Sequence, residues 1–398
     1  MLEMEQAVAD EVEQQGQDEE FEVVRPTRQS ARVAAGVRRP PRYNFHTSVR
    51  RGLREHGEAA YEAIVKEFKQ LFKDKKALIP VKKADLSQTQ LKKILRSSMF
   101  LKEKYDAKGE FEKMKARLVA DGRKQDRAMY PDNNSPTVAM RSLLMCLLIG
   151  AKEGRKAMKI DIGGAYLNAE MTGEEVLMEL DVTLADIVCK FLPDLLPYSD
   201  NGKLIVRLDK ALYGCVQSAK LWYQKLTNTL KGIGFVPNAV DHCVMNKTID
   251  GRQLTVAIYV DDILALSVCE DDLNWLNEEL KKEFDEIKSE TSDDFSYLGM
   301  HITLKEKEVC ISMKAFVEEV LHQYGDAKMR VTPATAQLFE ETDARLLDEN
   351  EKKLFHTTVA KLLYLGKRAR PDILLAVLYL CRAFIRGRGE IGQSDWVS

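Results

Sequence analysis

Two apolar, β-prone stretches, Leu-Thr-Val-Ala-Ile-Tyr-Val at residues 254–260 and Ile-Leu-Ala-Leu-Ser-Val at 263–268, are joined by nothing but Asp261-Asp262. That pattern specifies a tight hairpin with an acidic pair at its tip. The apolar neighbours hold both strands in a core, so the pair is not a solvated charge run. Two like charges a few ångströms apart repel, and a divalent cation is the usual compensation. The hairpin therefore asks for metal.

Asp161 has the same setting. Residues 158–162 read as a short strand interrupted by Asp161 near its end, with Ile160 and Ile162 on either side and Gly163-Gly164 following. The aspartates are separated by 261 − 161 = 100 residues. Carboxylates on core-embedded strand ends could converge to hold two Mg²⁺ ions about 3.5 to 4 Å apart. One ion would activate an attacking 3′-hydroxyl, and the other would hold a triphosphate and stabilise the leaving pyrophosphate. In such a reaction the protein supplies positioning and charge stabilisation. On these residues alone the alternative stands that Asp-Asp is a turn dipeptide and Asp161 an edge residue.

Around this centre the pattern reads as α+β. Tyr61, Ile64, Val65, Phe68, Leu71 and Phe72 recur at helical spacing, so folded sequence is expected to begin near Gly57 with an amphipathic helix. A Lys108-Gly109 turn leads into a strand on which Lys113, Lys115 and Arg117, at period two, share a face. Residues 140–149 form an apolar helix ending at Gly150. After the acidic hairpin a helix carries Leu273, Leu276, Leu280, Phe284 and Ile287, and a second hairpin follows around 297–302. The tail from 354 to 385 is helical in pattern, broken at Pro371.

Composition bounds the rest. With 398 residues and 45% hydrophobic content the chain can bury a core of two or three domains. Its 60 basic and 62 acidic side chains give a net charge of −2, so nucleic-acid affinity must come from local patches. None of the seven cysteines forms a C-x-x-C pair, which disfavours zinc and fits reduced intracellular thiols. No run of about 18 apolar residues occurs. Nine acids and no bases precede residue 23, unlike a presequence. Nine arginines follow between residues 23 and 54, which suits a disordered segment that binds phosphate backbones, serves nuclear import or is simply solvated.

The motifs also carry a resemblance. Tyr259-Val260-Asp261-Asp262 resembles the Y-x-D-D box of reverse transcriptases, and Lys159-Ile-Asp-Ile-Gly-Gly-Ala-Tyr-Leu-Asn168 resembles the D-V-K-T-A-F-L-N-G box of copia-type (Pseudoviridae) retrotransposon polymerases. Lys115-Ala-Arg-Leu-Val119 is similar to the fingers motif, and Leu212-Tyr-Gly-Cys-Val-Gln-Ser-Ala-Lys-Leu-Trp-Tyr223 to L-Y-G-L-K-Q-A-P-R-A-W-Y. Tyr297-Leu-Gly-Met300 resembles the primer grip, and Leu362-Leu-Tyr-Leu365 with Arg370-Pro-Asp-Ile373 the connection toward RNase H. Gly163-Gly164 in place of Lys-Thr, Asp121 in place of a basic residue and Ala219 in place of proline depart from the pattern and spare every metal ligand.

The resemblance implies a right-hand polymerase of fingers, palm and thumb, with an antiparallel palm sheet carrying Asp161, Asp261 and Asp262 as ligands of two Mg²⁺ or Mn²⁺ ions. It places Lys115 and Arg117 near the incoming deoxynucleoside triphosphate and gives Tyr166 the position of a ring that excludes a 2′-hydroxyl. Tyr213, Gly214 and Gln217 fall in the segment facing nucleotide and template, Tyr297, Leu298 and Gly299 at the primer, and Trp222-Tyr223 in packing. The expected organisation is a linker over 1–56, the polymerase over 57–330 and a connection-like segment over 331–398, truncated before an RNase H domain. The implied activity is RNA-directed DNA synthesis on a primer-template, intracellular and in the cytoplasm, virus-like particles or nucleus. The alternatives are a non-catalytic remnant that binds nucleic acid or a protein partner, and a DNA polymerase or two-metal nuclease using similar carboxylates.

Overall fold

The computed structural model describes residues 46–105, 111–131, 133–324, 331–339 and 347–385; the acidic stretch, the Arg-rich stretch up to residue 45 and the Lys108-Gly109 turn lie outside them. The chain divides into two compact units, one containing Gly36–Cys146 and Arg155–Ser292, the other Leu147–Gly154 and Asp293–Ser398. Elements are numbered in chain order.

In the first unit, helix α1 (Val49–Lys69) starts earlier than its apolar stripe indicates. Ser48 caps it by accepting the Arg51 amide, and it bends at Gly57, where φ is 49° and ψ −117°. The start near Gly57 is thus corrected to Val49: a capping hydroxyl rather than apolar residues sets it. Beyond the bend Ala60, Ile64, Phe68 and Leu71 are buried, flanked by Tyr61, Val65 and Phe72, as the periodicity predicts. Helix α1 packs on β3 (Leu95–Tyr105) and β4 (Phe111–Ala120), an antiparallel ribbon. Met114, Ala116, Leu118 and Ala120 point into the core, leaving Lys113, Lys115 and Arg117 on the opposite face. The ribbon belongs to a sheet ordered β1-β3-β6-β8-β2, where β1 is His46–Ser48, β2 Leu78–Val81, β6 Leu177–Leu180 and β8 Lys203–Leu208; β4 adds to β3, and β7 (Ser199–Asp200) to β8. The short α2 (Gln88–Lys93) and α4 (Val182–Phe191) start on the caps Ser87 and Asp181.

A second sheet in the same unit runs β13-β5-β12-β11-β10-β9, with β5 Lys156–Ile162, β9 Val236–Pro237, β10 Val244–Ile249, β11 Arg252–Tyr259, β12 Asp262–Ser267 and β13 Ile287–Thr291. From Ile263 to Ser267 every residue of β12 is buried, as a central strand covered on both faces requires. Trp222, Leu226 and Leu230 are the buried face of α5 (Ser218–Gly232). Leu273, Leu276 and Leu280 are that of α6 (Glu270–Lys281), which packs on β12, β13 and β5. The α6 expectation was too long: Phe284 is buried beyond the helix, and Ile287 opens β13, paired with Ile162. Four-residue apolar spacing continues past Leu280, but pairing with β5 takes the chain over. Helix α3 (Met140–Glu153) runs through Gly150 instead of stopping there, since a single glycine is tolerated in a helix.

In the second unit β14 (Asp294–Tyr297), β15 (Met300–Lys305) and β16 (Glu308–Ser312) form a meander. The β14–β15 turn, Leu298-Gly299, has positive φ at both residues, as a type I′ hairpin demands. It is seated on α8 (Glu349–Arg368), whose Tyr364 hydroxyl donates to the Leu298 carbonyl at 3.1 Å. Helix α7 (Lys314–Tyr324) precedes α8, and the break at Pro371 leads to α9 (Leu374–Ile385). Phe355, Val359 and Val377 join α8 to α9. Among the described residues no helix is long and apolar enough to cross a membrane.

Candidate active site

Strand pairing assembles the carboxylates. On β12 Asp262 is the cross-strand partner of Asp161 on β5, and the Ile162 amide donates to the Asp261 carbonyl at 3.3 Å. The β11–β12 turn is Val260-Asp261, closed by the Tyr259–Asp262 pair, so the expected Asp261-Asp262 tip is corrected by one residue: Asp262 is already held in the strand by its pairing with Tyr259 and Asp161. Val260 has a φ of 54°, a strained conformation for a β-branched residue costing about 1–3 kcal/mol. It is held from behind by Trp222, whose indole N–H donates to the Val260 carbonyl at 2.8 Å and whose ring stands edge-on to Phe284, 5.5 Å away. Trp222 is therefore a packing residue, as expected.

Burial raises the Asp262 carboxyl to about 6, helped by the charges of Asp261 and Asp161 and opposed by Lys159. Burial also raises Asp261, reinforced by Asp161, while its own amide, Arg117 and Lys115 pull it down. Among the described residues no three His, Cys, Asp or Glu side chains are gathered as ligands. The donor set nonetheless fits a hard divalent cation: carboxylate oxygens from neighbouring strand ends whose repulsion such an ion would relieve.

These pKa shifts carry a test. A carboxyl whose pKa is about 6 folded, against an ordinary 3.8, is protonated first in the folded chain. Its contribution to stability is favourable in acid and is lost as pH rises from about 4 to about 6. In chelator, Asp262→Asn should remove this part of the pH dependence, on the order of 1 kcal/mol after allowance for partial exposure, read by thermal unfolding at several pH values. An unchanged pH profile would disprove it.

The basic face of β4 meets this corner. The Arg117 guanidinium lies 4.1 Å over the Tyr213 ring, which packs at 4.4 Å against Tyr166. Burial raises the Tyr213 hydroxyl pKa; Arg117 opposes the rise, and Asp261, Glu67 and Asp161 add to it. Burial lowers the Lys115 ammonium, with Arg117 and Lys104 adding, against Glu67 and Asp161. Asp161, Asp261, Asp262, Lys115, Arg117, Tyr166 and Tyr213 thus share one electrostatic neighbourhood. Glu67 belongs to it too and was not foreseen: it accepts the Leu118 amide at 3.0 Å on the side of β4 away from β3.

Gln217 is 5% exposed, and its amide is engaged with Gln125 at 3.0 Å, Met171 at 3.1 Å and Tyr130 at 3.5 Å. With its amide used inside the fold, Gln217 ties the Tyr213 segment to Gln125 and Tyr130. Gly214 has φ 89°, and a Cβ there would stand 2.0 Å from the Ala120 carbonyl, so the close approach it permits is to β4. Tyr297 is buried in the second unit, leaving Leu298 and Gly299 as the accessible part of that turn.

Residues 87–336 match the family of reverse transcriptases (RNA-dependent DNA polymerases), more than half of the chain, and the chain belongs to that family. Within it the chain is of the copia type, as its relatives indicate. It is 25% identical over 310 residues to the retrovirus-related Pol polyprotein from transposon TNT 1-94 of Nicotiana tabacum, a match covering 75% of this chain and 22% of that protein. To the Pol polyprotein from transposon RE1 of Arabidopsis thaliana it is 27% identical over 281 residues, covering 69% and 18%. The chain spans about a fifth of the length of these curated relatives. A solved telomerase from Candida albicans, in complex with a fragment of telomeric RNA, superposes on 82% of this chain and 62% of its own with a TM-score of 0.32 and 9% identity.

Proposed function

We propose that this chain is an RNA-directed DNA polymerase of a copia-type element, extending a primer on a template by two-metal nucleotidyl transfer. The observation that carries it is the pairing of Asp161 with Asp262 beside Asp261, under the cationic face of β4. In this reading the sheet built on β3 and β4 is the fingers, the sheet carrying the aspartates is the palm, and the second unit is thumb and connection. Two Mg²⁺ or Mn²⁺ ions on the three aspartates would supply activation of the 3′-hydroxyl and neutralisation of the triphosphate.

The chain's own residues do the positioning. Arg117, braced on Tyr213, and Lys115 hold the triphosphate oxygens. Tyr166, packed on Tyr213, closes the space a 2′-hydroxyl would need. Along the β3–β4 ribbon Lys102 stands opposite Lys115 and Lys104 opposite Lys113. A phosphate chain fits that ladder, and a backbone-bound template would run along it. The Leu298-Gly299 turn would meet the primer backbone.

Primer extension by the purified chain on a homopolymeric RNA template, with Mg²⁺ and deoxynucleotides, tests the proposal. Extension supports it, and preference for an RNA over a DNA template separates it from a DNA polymerase. A folded protein that binds primer-template without extending it would overturn the proposal in favour of a non-catalytic binder.

A further inference from the structure

Asp161 and Tyr166 are linked through Gly163-Gly164, a pair with little intrinsic conformational preference, and Gly164 is in the left-handed region at φ 58°. The link is clamped from outside. The Asn168 Nδ2 donates to the carbonyls of Gly163 at 3.2 Å and Gly164 at 3.3 Å. On the other side the Gly163 amide donates to the Glu286 carbonyl at 2.8 Å. Asn168 Oδ1 accepts from Lys75 Nζ at 2.8 Å. An ammonium can only donate, so Lys75 fixes which end of the amide faces the glycines.

Lys75 also pairs with Asp285 at 2.9 Å, which by itself suggests an ordinary ion pair. The exposures argue otherwise. The Asp285 side chain is 84% exposed and that of Lys75 only 9%, so Asp285 supplies a countercharge from the solvent side while Asn168 takes the hydrogen bond on the inner side. The half of the contact that burial strengthens is the one to Asn168.

We infer that Lys75 and Asn168 are positioning residues for sugar selection: Lys75 orients Asn168, Asn168 fixes the Gly163-Gly164 turn, and the turn sets the Tyr166 ring against Tyr213. The inference rests on the proposed polymerase function and on Tyr166 as the group that excludes the 2′-hydroxyl. A displacement of about 1 Å at such a ring is enough to change selectivity markedly.

The test is single-nucleotide incorporation by the full chain, comparing kcat/KM for a deoxynucleotide with that for the matching ribonucleotide. Asn168→Asp keeps the volume and removes both donors to the glycines; Lys75→Met removes the orienting ammonium. Each should lower discrimination roughly tenfold, mainly through faster ribonucleotide use, with deoxynucleotide kcat changing less. Tyr166→Val is the reference. If the parent incorporates deoxynucleotides but Tyr166→Val keeps full discrimination, the role of Tyr166 fails first. If Tyr166→Val relaxes it while Asn168→Asp does not, the inference is overturned. A loss for both nucleotides in equal proportion, at unchanged ratio, overturns it too. Should Lys75→Met not fold, the near-isosteric Asn168→Asp decides alone.

Discussion

Asp161→Asn or Asp261→Asn abolishes primer extension, by on the order of a thousandfold or more, while the protein stays folded. The change is nearly isosteric and leaves the β5–β12 register untouched, because that pairing is made by the backbone. What disappears is a negative charge and a hard oxygen donor at the corner where the triphosphate would be neutralised. The effect on stability has the opposite sign. Burial and mutual repulsion raise the carboxyls of Asp261 and Asp262, so their ionised forms are unfavourable near neutral pH without a cation. Asp261→Asn and Asp262→Asn should therefore raise the melting temperature in chelator while removing activity, the trade-off of a site kept charged for chemistry. Side-by-side melting and extension assays check both halves. Retained extension by either Asp261→Asn or Asp161→Asn would remove the metal site from those residues.

The acidic hairpin could be read in the sequence because everything that specifies it is local: two apolar runs and a polar pair between them. The alternation of Lys113, Lys115 and Arg117 is local too, and β4 keeps it. The partners across the fold were hidden. Glu67 is one of many charges on an amphipathic helix, and only the position of α1 beside β4 brings it to the Leu118 amide. Lys75 and Asn168 are 93 residues apart in sequence, and no periodicity connects them. Trp222 looks like any buried aromatic until its indole finds the strained Val260 carbonyl. The resemblance to reverse transcriptases named Gln217 but not the partners its buried amide finds inside the fold, Gln125, Met171 and Tyr130.

Gly214→Ala should destabilise the first unit by about 3–5 kcal/mol and reduce nucleotide use along with it. Two costs add. The glycine has φ 89°, where side chains are strained, and the new Cβ would fall 2.0 Å from the Ala120 carbonyl and 2.6 Å from Val119. The first obstacle is backbone, fixed by the Ala120 amide donating to the Tyr213 carbonyl at 2.8 Å, so it cannot turn away as a flexible side chain would. Gly173→Ala separates the two costs: its φ is 92°, with nothing within 4 Å of the added Cβ. It should lose only the conformational part, about 1 kcal/mol. Relief of the clash in Gly214→Ala must pull Tyr213 off β4, and with it the ring under Arg117 and against Tyr166. The KM for deoxynucleotide should then rise in Gly214→Ala and stay near the parent value in Gly173→Ala, measured below the lower melting temperature. Equal melting points for the two variants would mean that the Tyr213 loop yields freely and is not what holds Arg117 over the aspartates.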